Sequence, residues 1–301
     1  MDAVLEIVPL VVVFAASYAV KRAGLLTADD GGALLRVVFY LGVPPLIFMS
    51  LASVELDASF LRLGLVAPVV IGFSLLVVLV LRRTALKGVD AAAFGPFLTG
   101  VVVMNTGFLL PFVERIAGAE GIARLAVIDA FVGIMTFSVV YLAVVRVAHD
   151  RPDTAFLVKK LLISPPMWAL VAALLVQLVG VTPPVVITES LEVAARIVGT
   201  AVLIALGLKF EPHIRRPGLL TLAVGLRFGL GAVVGMGLIA ALGLEGIDAG
   251  VAMFACLAPT GFNAITFAEL EKLDVQFAAA VVSAGLLIAV AASPLTTQLL
   301  R

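Results

Sequence analysis

Four polar residues interrupt long apolar runs in this sequence: Asn105 in MNTGFLLPF (104–112), Asn263 in APTGFNAITF (258–267), Asp129 and Arg227. A carboxamide offers N–H donors to a carboxylate or a carbonyl to a cation, and in apolar surroundings it equally serves to cap backbone groups that a broken helix leaves free. The two asparagines sit among the same unusual neighbours, Thr106, Gly107 and Pro111 in the first stretch and Pro259, Thr260 and Gly261 in the second. Proline lacks an N–H and breaks a helix interior, so both stretches are expected to be non-helical where they lie deepest. Half-helices starting there would present free N–H groups and positive dipole ends, for which an anion is the natural ligand. The candidate substrate-binding residues are therefore Asn105, Thr106, Gly107, Pro111, Pro259, Thr260, Gly261 and Asn263, with a small carboxylate as the ligand class.

Asp129 lies about five residues, ~7 Å of helix rise, inside the edge set by Arg124. It either reaches outward to that edge or faces the interior as a coupling candidate. Arg227 lies about eleven residues, ~16 Å, from Arg216 and so nearer the middle of its run. A buried arginine needs a counterion, and two remain open: Asp129, making a structural pair, or the substrate carboxylate, which puts Arg227 among the substrate-binding residues. A permanent pair would leave transport driven by membrane potential; a separated pair would free Asp129 to carry a proton with the anion. The preference from sequence is for the permanent pair. Gly225, Gly229, Gly231 and Gly235 have the spacing of close helix packing beside Arg227.

The elements that must position these groups follow from composition. Hydrophobic residues make up 62% of the chain and charged residues 13%, with a mean hydropathy of +1.22; this is an all-α integral membrane protein in which a span needs ~20 mostly apolar residues. Ten spans are expected, roughly at 3–20, 37–54, 63–81, 91–113, 125–145, 161–179, 190–208, 219–242, 249–268 and 275–300. The first reads as a retained helix, since no basic leader or small-residue cleavage site accompanies it. The net charge of zero gives no basic surface for nucleic acid. One cysteine, Cys256, and two distant histidines, His149 and His213, leave no basis for a disulfide or a metal site, and no cofactor is expected. The chain has no HExxH, GxSxG or GxxxxGK[ST] motif, which argues against catalysis and against nucleotide-driven pumping.

Lys21, Arg22, Arg36, Arg82, Arg83, Lys87, Arg146, Arg151, Lys159, Lys160, Lys209, Arg215, Arg216 and Lys272 fall in one alternate set of connections, which is expected to be cytoplasmic, with both termini outside. The segment KGVDAAAFGPFLTGVVVMNTGF from Lys87 is echoed by EGIDAGVAMFACLAPTGF from Glu245. Each has Asp-Ala where a span starts and Thr-Gly-Phe well inside it. The halves, 1–148 and 161–301 around a cytoplasmic connection at 149–160, read as copies. Five spans per copy is an odd number, so the second copy is inverted, an arrangement used by secondary transporters.

At VFYLGVPPLIF, MNTGFLLPF, ISPPMWAL, IALGLKF and LAPTGFNAITFAEL, taken in order, the sequence resembles the auxin efflux carrier family in its bacterial branch, over essentially the whole chain. The resemblance implies ten helices in two inverted five-helix repeats, with broken fourth and ninth helices crossing at their prolines. It implies a scaffold of the first, second, sixth and seventh helices, through which the chain forms a homodimer, and a mobile unit that carries a small organic anion across the bacterial cytoplasmic membrane by an elevator motion. Asn105, Gly107 and Pro111 match the family's fourth-helix pattern; Pro259 and Asn263 match its ninth. Glu269 departs from that pattern, at the cytoplasmic mouth. A sodium-coupled anion symporter resembling the bile acid symporters is the rival transporter, and a membrane sensor or scaffold without transport is the rival of another kind.

Overall fold

The computed structural model describes residues 2–52, 62–149, 155, 159, 163, 165–181, 183–210 and 216–296. Among these, every extended element is a helix, and the sole β-type pairing is an isolated antiparallel bridge between Met104 and Thr260. That is the expected solution for apolar runs with no water to satisfy their backbone. The expected connection at 149–160 lies almost wholly outside the described residues, as do Met1 and residues 297–301.

Helix α1 spans Asp2–Arg22 and α2 Ala28–Val37. A capping box starts α2: the Asp30 amide donates to the Thr27 hydroxyl, and the Thr27 amide donates to the Asp30 carboxylate. These bonds from Thr27 hold the Asp30 carboxyl below the usual carboxylate range. One π-helical turn at Val38–Gly42 carries α2 into α3, Val43–Ala52. The second apolar helix thus begins at Ala28, before the expected residue 37, and Arg36 lies on a helix instead of in a connection.

Helix α4 spans Val66–Arg83 and α5 Ala91–Val102. Asp90 caps α5, accepting from the Ala93 amide at 2.8 Å, and pairs with Arg216 at 2.8 Å; the first bond and then the second hold its carboxyl below the usual range. After a break, α6 runs from Leu110 to Met135. It consists of two helices joined directly at Gly118, whose φ of 57° and ψ of −153° are non-helical and lie in a region open to glycine and not to L side chains; the expected fourth and fifth spans are parted there without a longer loop. A second π turn at Thr136–Val140 leads into α7, Tyr141–Ala148. The remaining helices are α8 (Pro165–Val179), α9 (Val185–Lys209), α10 (Pro217–Leu242), α11 (Gly246–Cys256), α12 (Asn263–Leu270) and α13 (Val275–Thr296).

Four described helical stretches, 62–83, 123–148, 185–209 and 217–242, are long and apolar enough to cross a membrane by length and composition. Large apolar side chains such as Leu178, Val186, Leu76 and Met236 are exposed, as lipid-facing positions require. Helices in lipid gain little from hydrophobic burial against one another and are held by close packing over small residues. A Cβ on Gly207 of α9 would stand 2.5 Å from the Phe14 carbonyl oxygen of α1, and one on Gly100 of α5 would stand 2.6 Å from Val281 of α13.

Candidate functional site

Two helices stop inside the bundle. Helix α5 ends at Val102, Val103 is extended (φ −79°, ψ 123°), and a 3₁₀ turn at Thr106–Leu109 restarts the chain toward α6. Pro111 falls in the first turn of α6, where its missing N–H leaves no bond unmade. Helix α11 ends at Cys256, and α12 begins at Asn263. The two breaks pair with each other. The Asn105 amide donates to the Pro259 carbonyl at 2.9 Å and the Gly261 amide to the Val103 carbonyl at 3.0 Å, flanking the Met104–Thr260 bridge.

This register sets Asn105 opposite Pro259, the two residues that precede Thr-Gly-Phe in the two echoed segments. The reciprocal bond of a close antiparallel pair is missing there because Pro259 has no N–H to give. Close approach also needs Gly261, where a Cβ would meet the Val103 side chain at 2.8 Å and the Met104 carbonyl at 3.0 Å.

A helix C-terminus leaves carbonyls without partners, and two such ends meet here. Arg227, on α10 and 0% exposed, supplies the donors. Its Nη2 donates to the Cys256 carbonyl at 2.7 Å, Nε to the Ala258 carbonyl at 3.0 Å and Nη1 to the Val101 carbonyl at 3.3 Å. Thr260 Oγ1 donates to the Gly100 carbonyl at 2.6 Å. The guanidinium therefore lies against the negative dipole ends of both α5 and α11. Its structural partners are these carbonyls; the ion pair with Asp129 weighed from sequence is not formed. Gly231 and Gly235 let α10 approach this junction: a Cβ on Gly231 would stand 2.1 Å from the Cys256 oxygen and one on Gly235 would stand 2.9 Å from the Cys256 side chain. Gly225 and Gly229 meet nothing within 4 Å, so half of that glycine series packs closely and half does not.

On the other side of the bridge the half-helices begin. Asn105, 8% exposed, uses its amide asymmetrically: Oδ1 accepts from the Phe108 amide at 3.2 Å, capping the restart of the chain, while Nδ2 is buried with no partner. The Phe108 bond orients the amide, since a flipped group would set two donors face to face. Thr106 donates its hydroxyl to the Asp129 carboxylate of α6, so Asp129 reaches the first break. A Cβ on Gly107 would meet only Asn105 Oδ1, at 3.7 Å. Asn263 is partly exposed at the first position of α12. The sequence-predicted residues thus divide between two faces of one crossing. Asn105, Thr106, Gly107, Asn263 and Asp129 belong to the side where half-helices start, and Arg227 and the Thr260 hydroxyl to the side where half-helices end.

Two polar clusters were not foreseen. Glu269 of α12 pairs with Lys209 at 2.6 Å and Arg36 at 3.3 Å. Glu271 accepts from the Tyr141 hydroxyl at 2.7 Å and contacts His149 Nε2 at 2.8 Å. The one sequence signal for either was Glu269's departure from the expected pattern; its partners are distant in the chain. Among the described residues, no group of three or more His, Cys, Asp or Glu is placed to hold a metal ion.

A family model described as membrane transport protein matches residues 2–297. An uncharacterized transporter of Methanothermobacter thermautotrophicus is 26% identical over 309 residues, covering 99% of this chain and 98% of that one.

Proposed function

The chain belongs to the membrane transport protein family, that of the auxin efflux carriers, a family of transporters and not of enzymes, and we propose that it is a secondary transporter binding a small organic anion where its two broken helices cross. The observation that carries this reading is the chemistry left free at the crossing. The carbonyls of Gly100, Val101, Val103, Cys256, Ala258 and Pro259 already accept bonds, whereas the Asn105 Nδ2 donor is buried and unpartnered. A cation would have to share these carbonyls with the donors they already hold. An anion needs donors, and Asn105, with Asn263 and the starting ends of α12 and of the chain after Gly107, supplies them. This favours an anion site over the sodium-coupled alternative.

In this reading Pro259, Gly261, Pro111 and Thr260 shape the crossing, Arg227 pins it from behind without touching substrate, and Asp129 couples through Thr106 to the site. Ten spans in two inverted repeats are supported by the crossing itself, since equivalent residues Asn105 and Pro259 lie opposite each other, as a two-fold axis between inverted copies demands. The substrate unit then moves by an elevator motion against a dimeric scaffold in a bacterial cytoplasmic membrane, with both termini periplasmic.

The test is calorimetric titration of the purified protein with malonate and succinate. A hydrogen bond to a charged group contributes about 1.5–3 kcal/mol, so Asn105→Ala is expected to weaken binding about tenfold or more. Unchanged affinity in both Asn105→Ala and Asn263→Ala overturns the reading.

A further inference from the structure

We propose that Glu269, Lys209 and Arg36 form an ionic latch that locks the helices of the crossing to α2 and α9, and that each transport cycle must break it. The proposal rests on the two-unit reading above for its direction of motion, and on the following geometry for its parts. Glu269 lies near the C-terminal end of α12, the half-helix that follows the second break. Its Oε2 lies 2.6 Å from Lys209 Nζ, at the end of α9, and its Oε1 lies 3.3 Å from Arg36 Nη1, at the end of α2. The Glu269 and Lys209 side chains are 18% and 10% exposed, and Arg36 is 53% exposed at the rim.

The carboxylate seat is cut into α2. A Cβ on Gly32 would stand 2.3 Å from Glu269 Oε1 and 3.2 Å from Lys209 Nζ, and one on Gly31 would stand 3.1 Å from the Leu208 side chain. Any side chain larger than hydrogen at residue 32 would displace Glu269. Nearby, Lys21 Nζ of α1 donates to the Phe210 carbonyl at 3.1 Å, so α1 too is held to the end of α9, against which α2 packs at Gly31.

Glu271, two residues beyond Glu269, makes the opposite choice. Its carboxylate takes the Tyr141 hydroxyl of α7 at 2.7 Å and meets His149 at 2.8 Å, binding the end of α12 to the helix that continues from Asp129. Neighbouring acids thus hold to two different bodies, Glu271 to α7 and Glu269 across the seam to α2 and α9. An apolar seam between these π-turns runs alongside: Phe39 meets Phe137 and Tyr141 at centroid distances of 6.5 and 6.1 Å, and Tyr141 and Phe137 meet Phe267 of α12 at 5.0 and 5.8 Å.

An ion pair suits a joint that must part. Its attraction is offset by the desolvation of its members, so it fixes geometry at small net stability, and water rehydrates both charges when it opens. Two cations on one carboxylate also make the joint specific: an apolar neighbour sliding past cannot replace them.

The latch is tested with spin labels at Asp29 on α2 and Arg146 on α7, both exposed, in full-length Cys256→Ser protein in lipid nanodiscs, measuring the distance distribution by electron paramagnetic resonance. The unaltered latch is expected to give one dominant distance. Glu269→Gln is expected to raise a second, longer-distance population about fivefold, the shift an ion pair exerts on a two-state equilibrium. Arg36→Gln, at an exposed residue that folding tolerates, is expected to act in the same direction, and the Glu269→Gln/Arg36→Gln double variant to add little to Glu269→Gln alone. Identical distributions in all variants, or fully additive shifts, overturn the proposal. Malonate and succinate uptake into proteoliposomes is read separately: absence of uptake by the unaltered chain counts against the carboxylate reading, while the label distances still judge the latch.

Discussion

Replacing Arg227 by methionine separates its two possible roles. The guanidinium donates to the carbonyls of Cys256, Ala258 and Val101, all at helix ends without a helical partner. Each carbonyl left unsatisfied in a buried site costs about 1–3 kcal/mol. Three of them would cost about 3–9 kcal/mol, reduced by the several kcal/mol of desolvation that the guanidinium itself no longer suffers. The net expectation is a loss of about 2–5 kcal/mol, because the groups left unpaired are neutral carbonyls and no buried charge remains. Arg227→Lys keeps a positive charge at the dipole ends but loses the planar fork, so it should fall between. The assay is reversible unfolding in mixed micelles, with malonate binding measured on the folded fraction at a temperature where every variant is native. The expected pattern is a large stability loss with the affinity of the folded fraction changed less than in Asn105→Ala. If Arg227→Met instead unfolds within about 0.5 kcal/mol of the parent while malonate binding disappears, the arginine is a substrate ligand and the pin is wrong.

Glycine substitutions along α10 should follow the structure and not the sequence spacing. Gly231→Ala puts a Cβ 2.1 Å from a backbone oxygen and should destabilise the fold by several times what Gly225→Ala changes; the latter has open space and should stabilise by about 0.5–1 kcal/mol, both read by the same unfolding assay. Coupling is expected to run through Asp129, because the Arg227 pairing on which purely potential-driven transport depended is not formed, and Arg124, the nearest cation on α6, is held by Asp248 and Glu120. Anion flux into liposomes with voltage clamped should therefore follow an imposed pH gradient, and Asp129→Asn should abolish that dependence. A flux indifferent to the pH gradient in the parent protein would restore the potential-driven reading.

What could be read from the residues and what could not divides along physical lines. Apolar length and interruption are local properties, so most of the apolar helices and both breaks are legible in the sequence: Pro259, Gly107 and Gly261 are statements about backbone wherever they occur. Edges were misjudged where a charge was taken as the end of a helix. With Arg36 read as a connection, the second span opens too late, at residue 37, although the Thr27–Asp30 capping box that starts the helix is itself a local signal. Between Arg115 and Arg124 the expected boundary of two spans is real but compact: one helix stops and the next starts at Gly118, a single positive-φ glycine, with no loop of the length the charges suggest. Contacts across the bundle were hidden for a different reason. The groups that Arg227 satisfies are carbonyls, which every residue carries, so no side-chain pattern could announce them. Glu269 did announce itself, by not fitting, but its partners lie on helices brought beside it only by the fold.

Asn105 shows how far the ambiguity reached. From sequence its amide was either a cap for broken backbone or a contact for ligand, two readings that compete for one side chain. In the structure the two need not compete, because the two ends of the amide face different ways: Oδ1 accepts from the Phe108 amide and Nδ2 is buried without a partner. Capping is what holds the free donor in place. In the proposed anion site the cap at Oδ1 would therefore fix the direction in which Nδ2 is offered to a ligand, so that the structural role pre-organises the binding one.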